Sequence, residues 1–194
     1  IEITDGVIEP LSFAVPVFEA ENSAAREIAA EISSIVVADL TSSGLFREIP
    51  KNRFIAQRKT FEEPVRFPDW RAVNAQALVT AAVKTNGSGQ LTVKFRIFDI
   101  FSGVQLGKGT QLSGSTGAAR RMAHQVADQV YKRITGEGAY FDSRIVFVSE
   151  SGPKDKRLKR LAIMDSDGEQ MKFLTGNDNI CLLYTSPSPR DYTR

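Results

Sequence analysis

Two residue types that often carry chemistry occur once each in this 194-residue chain: one histidine and one cysteine. His124 lies inside a predicted helix, without the cluster of His, Asp or Glu that a metal or catalytic site needs. Asp128 follows one helical turn later, and side chains at that spacing are neighbours on a helix. We therefore predict a helix-surface or packing contact for His124.

Three other stretches have ligand-like composition but incomplete motifs. Asp165–Glu169 resembles the start of a calcium loop but lacks the glutamate at loop position twelve, so we predict a polar hairpin turn. The glycines between 103 and 114 lie in a predicted strand meander rather than at the strand-to-helix turn of a phosphate loop. The basic run 154–160 is expected in a solvated hairpin loop. These residues form no credible active site, and we predict no cofactor and no metal.

Composition restricts the classes of partner. The chain carries 25 Lys and Arg against 23 Asp and Glu, a net charge of +2, which is weak for a protein that binds nucleic acid or anionic membrane. No apolar run approaches the roughly 20 residues of a membrane helix. The single cysteine excludes an intramolecular disulfide framework and a cysteine-based zinc site.

Two amphipathic helices are predicted. Apolar residues at helical spacing indicate a helix over about 23–42, with Asn22 or Ser23 as its N-cap and Gly44 just past its end. Thr116 is the predicted cap of a second helix. That helix buries Met122, Val126, Val130 and Ile134 and stops at Gly136.

The strands predict an antiparallel meander beside these helices. Pro16 cannot donate to a strand ladder, which indicates an edge or a bulge there. Asn86–Gly89 is a strong hairpin signal. We expect a compact α+β domain with a mixed β-sheet of about five strands that ends near Gly138. The predicted strands are 13–18, 46–50, 76–85, 91–100 and 104–114.

The pattern changes after residue 138. The stretches 144–149 and 160–165 are apolar on both faces, and such strands need cover on both faces. Asp167-Gly168 predicts a hairpin turn between the second of them and a third strand. Residues 139–180 have the length of one β-propeller blade, about 40 residues. One blade cannot close a ring, so roughly one blade of an incomplete propeller is expected.

Several strings together resemble the TolB family of the Tol–Pal system. They are IEITDGVIEPLSFAVPVF, EIAAEISSIVVADLTSSGLF, AHQVADQVYKRITG, GAYFDSRIVFVSE and LAIMDSDGEQMKFLTG, and the resemblance covers roughly residues 1–180. It implies an N-terminal α+β domain similar to anticodon-binding domains, here 13–138, followed by a six-bladed propeller. It also implies a periplasmic protein whose signal peptide has been removed.

The family resemblance implies a non-enzymatic scaffold with two protein partners. Residues 1–12 would be an extended segment that binds TolA, an inner-membrane protein. The propeller of the full-length protein would bind the peptidoglycan-associated lipoprotein Pal, in support of outer-membrane integrity and cell division. The implied TolA-binding residues are Ile1, Glu2, Ile3, Thr4, Asp5, Gly6 and Val7.

Other interpretations remain open from the residues alone. Ile1 and Ile3 alternate with Glu2 and Thr4, a pattern able to add to a sheet edge, but a frayed terminus has the same appearance. An anticodon-binding-like domain with the basic run 154–160 suggests a nucleic-acid-binding module. An enzyme of unrecognised type is the third alternative.

The last residues have a different origin in our interpretation. The resemblance stops near Ile180, in the middle of a blade, and CLLYTSPSPRD has no strand period. A choice of codons for that string reads as a transposase-type sequencing adapter. We therefore predict that 181–194 is adapter-derived, which would leave the native part without a thiol.

Overall fold

The computed structural model describes residues 9–55, 60–154 and 156–176. The chain divides into two compact units, a first unit of residues 1–142 and a second unit of residues 143–194. The division falls a few residues after Gly138, where the sequence placed the boundary. The reason is that the N–H groups of Phe141 and Asp142 donate hydrogen bonds to Asp128 in the second long helix of the first unit. The tail 181–194 lies outside the described residues.

The first unit is built on one mixed sheet. Its strands are β1 (Leu11–Ala14), β2 (Glu19–Ala20), β3 (Phe46–Glu48), β4 (Ala77–Thr85), β5 (Gln90–Asp99), β6 (Val104–Gln105) and β7 (Thr110–Ser115). The order is β3-β1-β4-β5-β6, with β2 also on β4 and β7 also on β5. β1 runs parallel to β3 and β4, whereas β4, β5 and β7 form the predicted antiparallel meander. The α+β class with a mixed sheet is therefore confirmed.

Two long helices cover one face of this sheet. They are α1 (Arg26–Ser42) and α3 (Ala119–Thr135), and the short α2 (Phe67–Ala72) lies between them in sequence. Alternate residues of β5 are completely buried beneath the long helices because a strand sends every second side chain to the same face. These are Leu91, Val93, Phe95 and Ile97. Within the described residues, no helix is long and apolar enough to span a membrane.

A second, smaller core forms around Trp70 of α2. Trp70 is buried with Ala14, Leu78, Phe98 and Ile100, and Phe54 packs edge-on against its ring at 5.0 Å between centroids. The short helix predicted from Pro68 to Trp70 is present as α2, and this core holds it on the sheet. A core on this side buries part of the sheet that the long helices leave open.

Three predicted elements differ in their extent or capping from the structure. The strand expected over 13–18 leaves the ladder after Ala14 and resumes at Glu19, since Pro16 has no N–H to donate. The last meander strand is split into β6 and β7 by a break around Gly107, whose φ of 72° suits glycine. Thr116 lies in a 3-10 turn, and no side-chain hydrogen bond caps α3 among the described residues.

The second unit contains a three-stranded antiparallel sheet. Its strands are β8 (Arg144–Ser151), β9 (Leu158–Asp165) and β10 (Lys172–Phe173), in the order β10-β9-β8. The two predicted strands and the turn at Asp167-Gly168 are confirmed, with Gly168 at a φ of 88°. Among the described residues of this unit, Ala162 is the one buried apolar side chain.

Candidate partner-binding site at the start of the sheet

The predicted TolA-binding residues, Ile1 to Val7, lie outside the described residues. The first described residue after them is Glu9, and β1 begins two residues later. The N–H of Leu11 donates to the carbonyl of Leu45 at 2.9 Å, and Phe13 pairs with Ala77 of β4. The segment is therefore joined to a strand that is paired on both sides.

A polar groove of about 300 Å³ lies where the segment joins the sheet. Its lining residues are Glu9, Pro10, Ser12, Arg47, Asn74 and Gln76. Arg47 donates to Glu9 Oε1 at 3.4 Å and to Ser12 Oγ at 3.2 Å, and the Ser12 N–H donates to Gln76 Oε1 at 2.9 Å. These groups can hydrogen-bond an extended peptide backbone. We call this feature the N-terminal groove.

Sequence reasoning placed Glu9, Pro10 and Ser12 in the N-terminal segment 1–12 but did not single out the other residues of the N-terminal groove. Arg47 and Glu9 are well exposed, with 59% and 80% of their side chains accessible, so their ion pair adds little stability and can be exchanged for other contacts. Asn74 has a φ of 59°, which ends α2 and returns the chain to β4. The residues of the N-terminal groove lie together because β1, β3 and β4 run parallel and start at the same end of the sheet.

His124 has a different partner from the predicted one. Its Nδ1 lies 2.7 Å from Oδ2 of Asp39, and both residues are buried between α3 and α1. The expected neighbour, Asp128, instead accepts hydrogen bonds from the N–H groups of Phe141 and Asp142 at 2.7 and 3.2 Å. The packing role predicted for His124 thus involves a residue 85 positions away in sequence, which helical spacing cannot reveal.

Asp128 anchors the segment that leads out of the first unit. Burial raises the pKa of Asp128 above its usual value, against the lowering effect of the two N–H donors. Asp142 is held in turn by Gln125 at 2.9 Å and by Arg121 at 3.1 Å. The chain end of the first unit is therefore fastened to α3 by a hydrogen-bonded cluster rather than by apolar packing alone.

Three cations on the face of the first sheet opposite α1 and α3 form ion pairs with carboxylates. Lys84 and Lys94 lie 3.7 and 3.5 Å from the carboxylate of Glu21, and Arg96 lies 2.7 Å from that of Glu62. Arg96 also stacks over the ring of Phe61 at 4.3 Å. Phosphate binding would have to displace these carboxylates, which weighs against a nucleic-acid interface on this face.

Three of the five basic residues in the run 154–160 have partners within the second unit. Arg157 and Lys159 lie 2.5 and 3.0 Å from Glu150, and hydrogen bonds from Lys159 and Arg157 lower the pKa of that carboxyl. The Arg160 guanidinium lies 3.6 Å from the centroid of the Phe173 ring. These contacts, across the β8–β9 hairpin and onto β10, give Arg157, Lys159 and Arg160 a structural role.

The sequence of the first unit matches a described domain family. The profile of the TolB amino-terminal domain matches residues 1–106. The chain belongs to the TolB family. The matched region extends from the N-terminal segment through β6, so it includes the N-terminal groove and most of the mixed sheet.

Relatives and solved structures agree with this assignment. The chain is 57% identical over 182 residues to the Tol-Pal system protein TolB of Roseobacter denitrificans and 58% identical to that of Dinoroseobacter shibae, covering 94% of this chain and 41% of each relative. The crystal structure of TolB from Acinetobacter baumannii superposes with a TM-score of 0.70 at 26% identity, over 88% of this chain and 40% of that one. This TolB-family chain spans about two fifths of the length of its curated relatives.

Proposed function

We propose that this chain is the N-terminal part of a non-enzymatic periplasmic scaffold of the Tol–Pal system. In this proposal residues 1–7 bind a TolA-type inner-membrane protein. A propeller that begins with β8 binds a Pal-type lipoprotein in the full-length protein. The scaffold supports outer-membrane integrity and cell division. The observation that carries the proposal is the match of residues 1–106 to the TolB amino-terminal domain.

Two features of the chain support a partner-binding use of the N-terminal segment. Its residues alternate between apolar and polar types from Ile1 to Thr4, as a strand added to a sheet edge requires. Its attachment point, Leu11, belongs to a strand that is paired on both sides, and the N-terminal groove beside it offers exchangeable polar groups. The base of the segment is therefore fixed next to groups that a partner can use.

Calorimetric titration with the C-terminal domain of the TolA protein from the same source tests the proposal. Deleting residues 1–7 from the 194-residue chain is expected to abolish binding. A matched pair of variants separates the two faces of the segment. The double substitution Ile1→Ser with Ile3→Ser removes the apolar face, whereas Glu2→Gln with Thr4→Ser preserves it.

The apolar pair of substitutions is expected to weaken binding far more than the polar pair, because burial of the two isoleucines drives the addition of the strand. Unchanged affinity after the deletion would remove residues 1–7 from the site. Pal binding requires the full-length protein and is expected to be absent from this chain.

A further inference from the structure

One aromatic side chain of the first unit is almost entirely exposed. Phe101, in the turn between β5 and β6, has 87% of its surface accessible, and Val104 at the end of the same turn has 56%. Large exposed apolar side chains that lie together commonly mark interaction sites, whereas single ones need no explanation. The turn Phe101–Val104 is called the aromatic turn below.

The aromatic turn is held rigid by five hydrogen bonds. The N–H groups of Phe101 and Ser102 donate to Asp99 Oδ1 at 2.9 and 3.2 Å, and the Gly103 N–H donates to the Asp99 carbonyl at 3.0 Å. Arg71 of α2 donates to the carbonyls of Ile100 at 2.9 Å and Phe101 at 3.2 Å. Gly103 has a φ of 71°, a conformation that favours glycine.

These bonds fix the backbone while none of them covers the ring. An aromatic side chain presented by a rigid turn loses little conformational entropy when a partner buries it, since only two side-chain torsions remain to be fixed. Aromatic residues of this kind dominate the energetics of protein interfaces. The construction of the turn is therefore favourable for an anchor residue.

The aromatic turn lies at the same end of the sheet as the N-terminal groove. Gln76 connects them: its N–H donates to the Ser12 carbonyl at 2.8 Å, and its carbonyl accepts from the Ile100 N–H at 2.9 Å. Two strand spacings, about 10 Å, thus separate Ser12 from the start of the turn. The base of the N-terminal segment and the aromatic turn are therefore close enough for one globular domain to contact both.

We infer that the aromatic turn is a second contact for the partner that binds the N-terminal segment. The partner is a protein domain with a strand edge for residues 1–7 and an apolar pocket beside it for the Phe101 ring. The N-terminal groove, with Arg47 and Gln76, provides polar contacts between the two. This inference rests on the proposed function, because it takes the TolA-type protein as the occupant.

Calorimetric titration of the 194-residue chain with the TolA C-terminal domain also tests this inference. Phe101→Ala is expected to weaken binding about tenfold, and Phe101→Leu, which keeps an apolar side chain, only about twofold. Val17→Ala is the matched control. Val17 is 57% exposed and lies beside Thr80 and Ala81, roughly 15 Å along β4 from Gln76. The Val17→Ala variant is expected to bind the TolA C-terminal domain with the affinity of the unmodified chain.

The outcomes distinguish this inference from the proposed function. Loss of binding on deleting residues 1–7, together with full affinity of Phe101→Ala, would overturn the inference and leave the proposed function standing. Unchanged affinity after the deletion would overturn the proposed function itself. If Phe101→Ala reduces only self-association of the chain, the turn is a contact between copies and the inference is wrong. Equal urea midpoints for the variants show that the fold is intact.

Discussion

The two sheets of this chain differ in what covers them. In the first unit, α1 and α3 bury one face of a mixed sheet, and residues such as Val93 and Phe95 have no accessible surface. In the second unit, the strands are equally apolar, but Val146 is 54% and Phe173 is 41% exposed. Strands of similarly apolar sequence are therefore buried to different extents, depending on what covers them.

Each unit obtains its stability from a different source. The first unit carries its own cover in the same stretch of chain, because each long helix follows a strand and packs on the sheet. The described part of the second unit has no helix, and its sheet is held by backbone pairing and by charge pairs such as Arg157–Glu150. We expect it to be the less stable unit, because less of its apolar surface is covered.

The largest expected effect is on the buried pair between the two long helices. Asp39→Ala removes the 2.7 Å contact to the buried His124 ring, and the loss of this buried polar contact is expected to lower the free energy of unfolding of the first unit by about 3 kcal/mol. Urea denaturation followed by the fluorescence of Trp70 measures it. Asp39→Asn retains an oxygen acceptor and should cost less. If both variants are as stable as the unmodified chain, the pair does not fasten α1 to α3.

The same truncation in both sheets tests their difference directly. Val93→Ala removes two methyl groups from a side chain with no accessible surface and should cost roughly 2–3 kcal/mol through lost burial and a cavity. Val146→Ala, in a residue 54% exposed, should change stability by less than about 0.5 kcal/mol. Thermal unfolding of the two variants provides the measurement. A large loss for Val146→Ala would mean that β8 is covered.

A smaller difference in stability is expected between variants of the two predicted helix caps, Asn22 and Thr116. Asn22 Oδ1 accepts from the Ala25 N–H at 3.0 Å at the start of the first helix, so Asn22→Ala should cost about 1 kcal/mol. Thr116→Ala should cost close to nothing, because Thr116 lies in a 3-10 turn and does not cap α3. Chemical denaturation of both variants decides between them. Equal losses would restore Thr116 as a cap.

The smallest effects are pH-dependent and have opposite signs in the two units. Burial raises the pKa of Asp128, so the folded state binds its proton more tightly, and this contribution to stability is lost as pH rises from 3.8 through the raised value. Hydrogen bonds from Lys159 and Arg157 lower the pKa of Glu150, so its contribution is present above 4.5 and lost as pH falls through the lowered value. NMR titration of the carboxyl groups should give a midpoint above 3.8 for Asp128 and a midpoint below 4.5 for Glu150.

Local patterns in the sequence predicted the elements well. Alternation along β5, the Asn86–Gly89 turn and the helical spacing of Met122 and Val126 each depend on neighbours in sequence, and all three are present. The resemblance to TolB, based on five strings, is confirmed by the family match. The class of the fold and the family could therefore be predicted from the amino-acid sequence alone.

Features that depend on residues far apart in sequence were not predictable. The Asp39–His124 pair, the anchor of Asp142 on Asp128 and the N-terminal groove each need two or three elements to meet. The break of the first strand near Pro16 was anticipated, but its extent depends on how β4 pairs with β1 and β2 separately. The assignment of residues 1–7 to partner binding, and of 181–194 to an adapter, remains a prediction from sequence.

Native-state hydrogen exchange of the monomeric chain is the sharpest test of the contrast between the two sheets. Amides of β4 and β5, from Ala77 to Asp99, are expected to exchange only through global unfolding of the first unit. Amides of β8 and β9, from Arg144 to Asp165, are expected to exchange through a separate, lower-energy opening, with protection at least a hundredfold weaker, or about 2.7 kcal/mol. Equal protection of the two strand pairs would contradict the conclusion that cover, rather than strand sequence, sets the stability of these sheets.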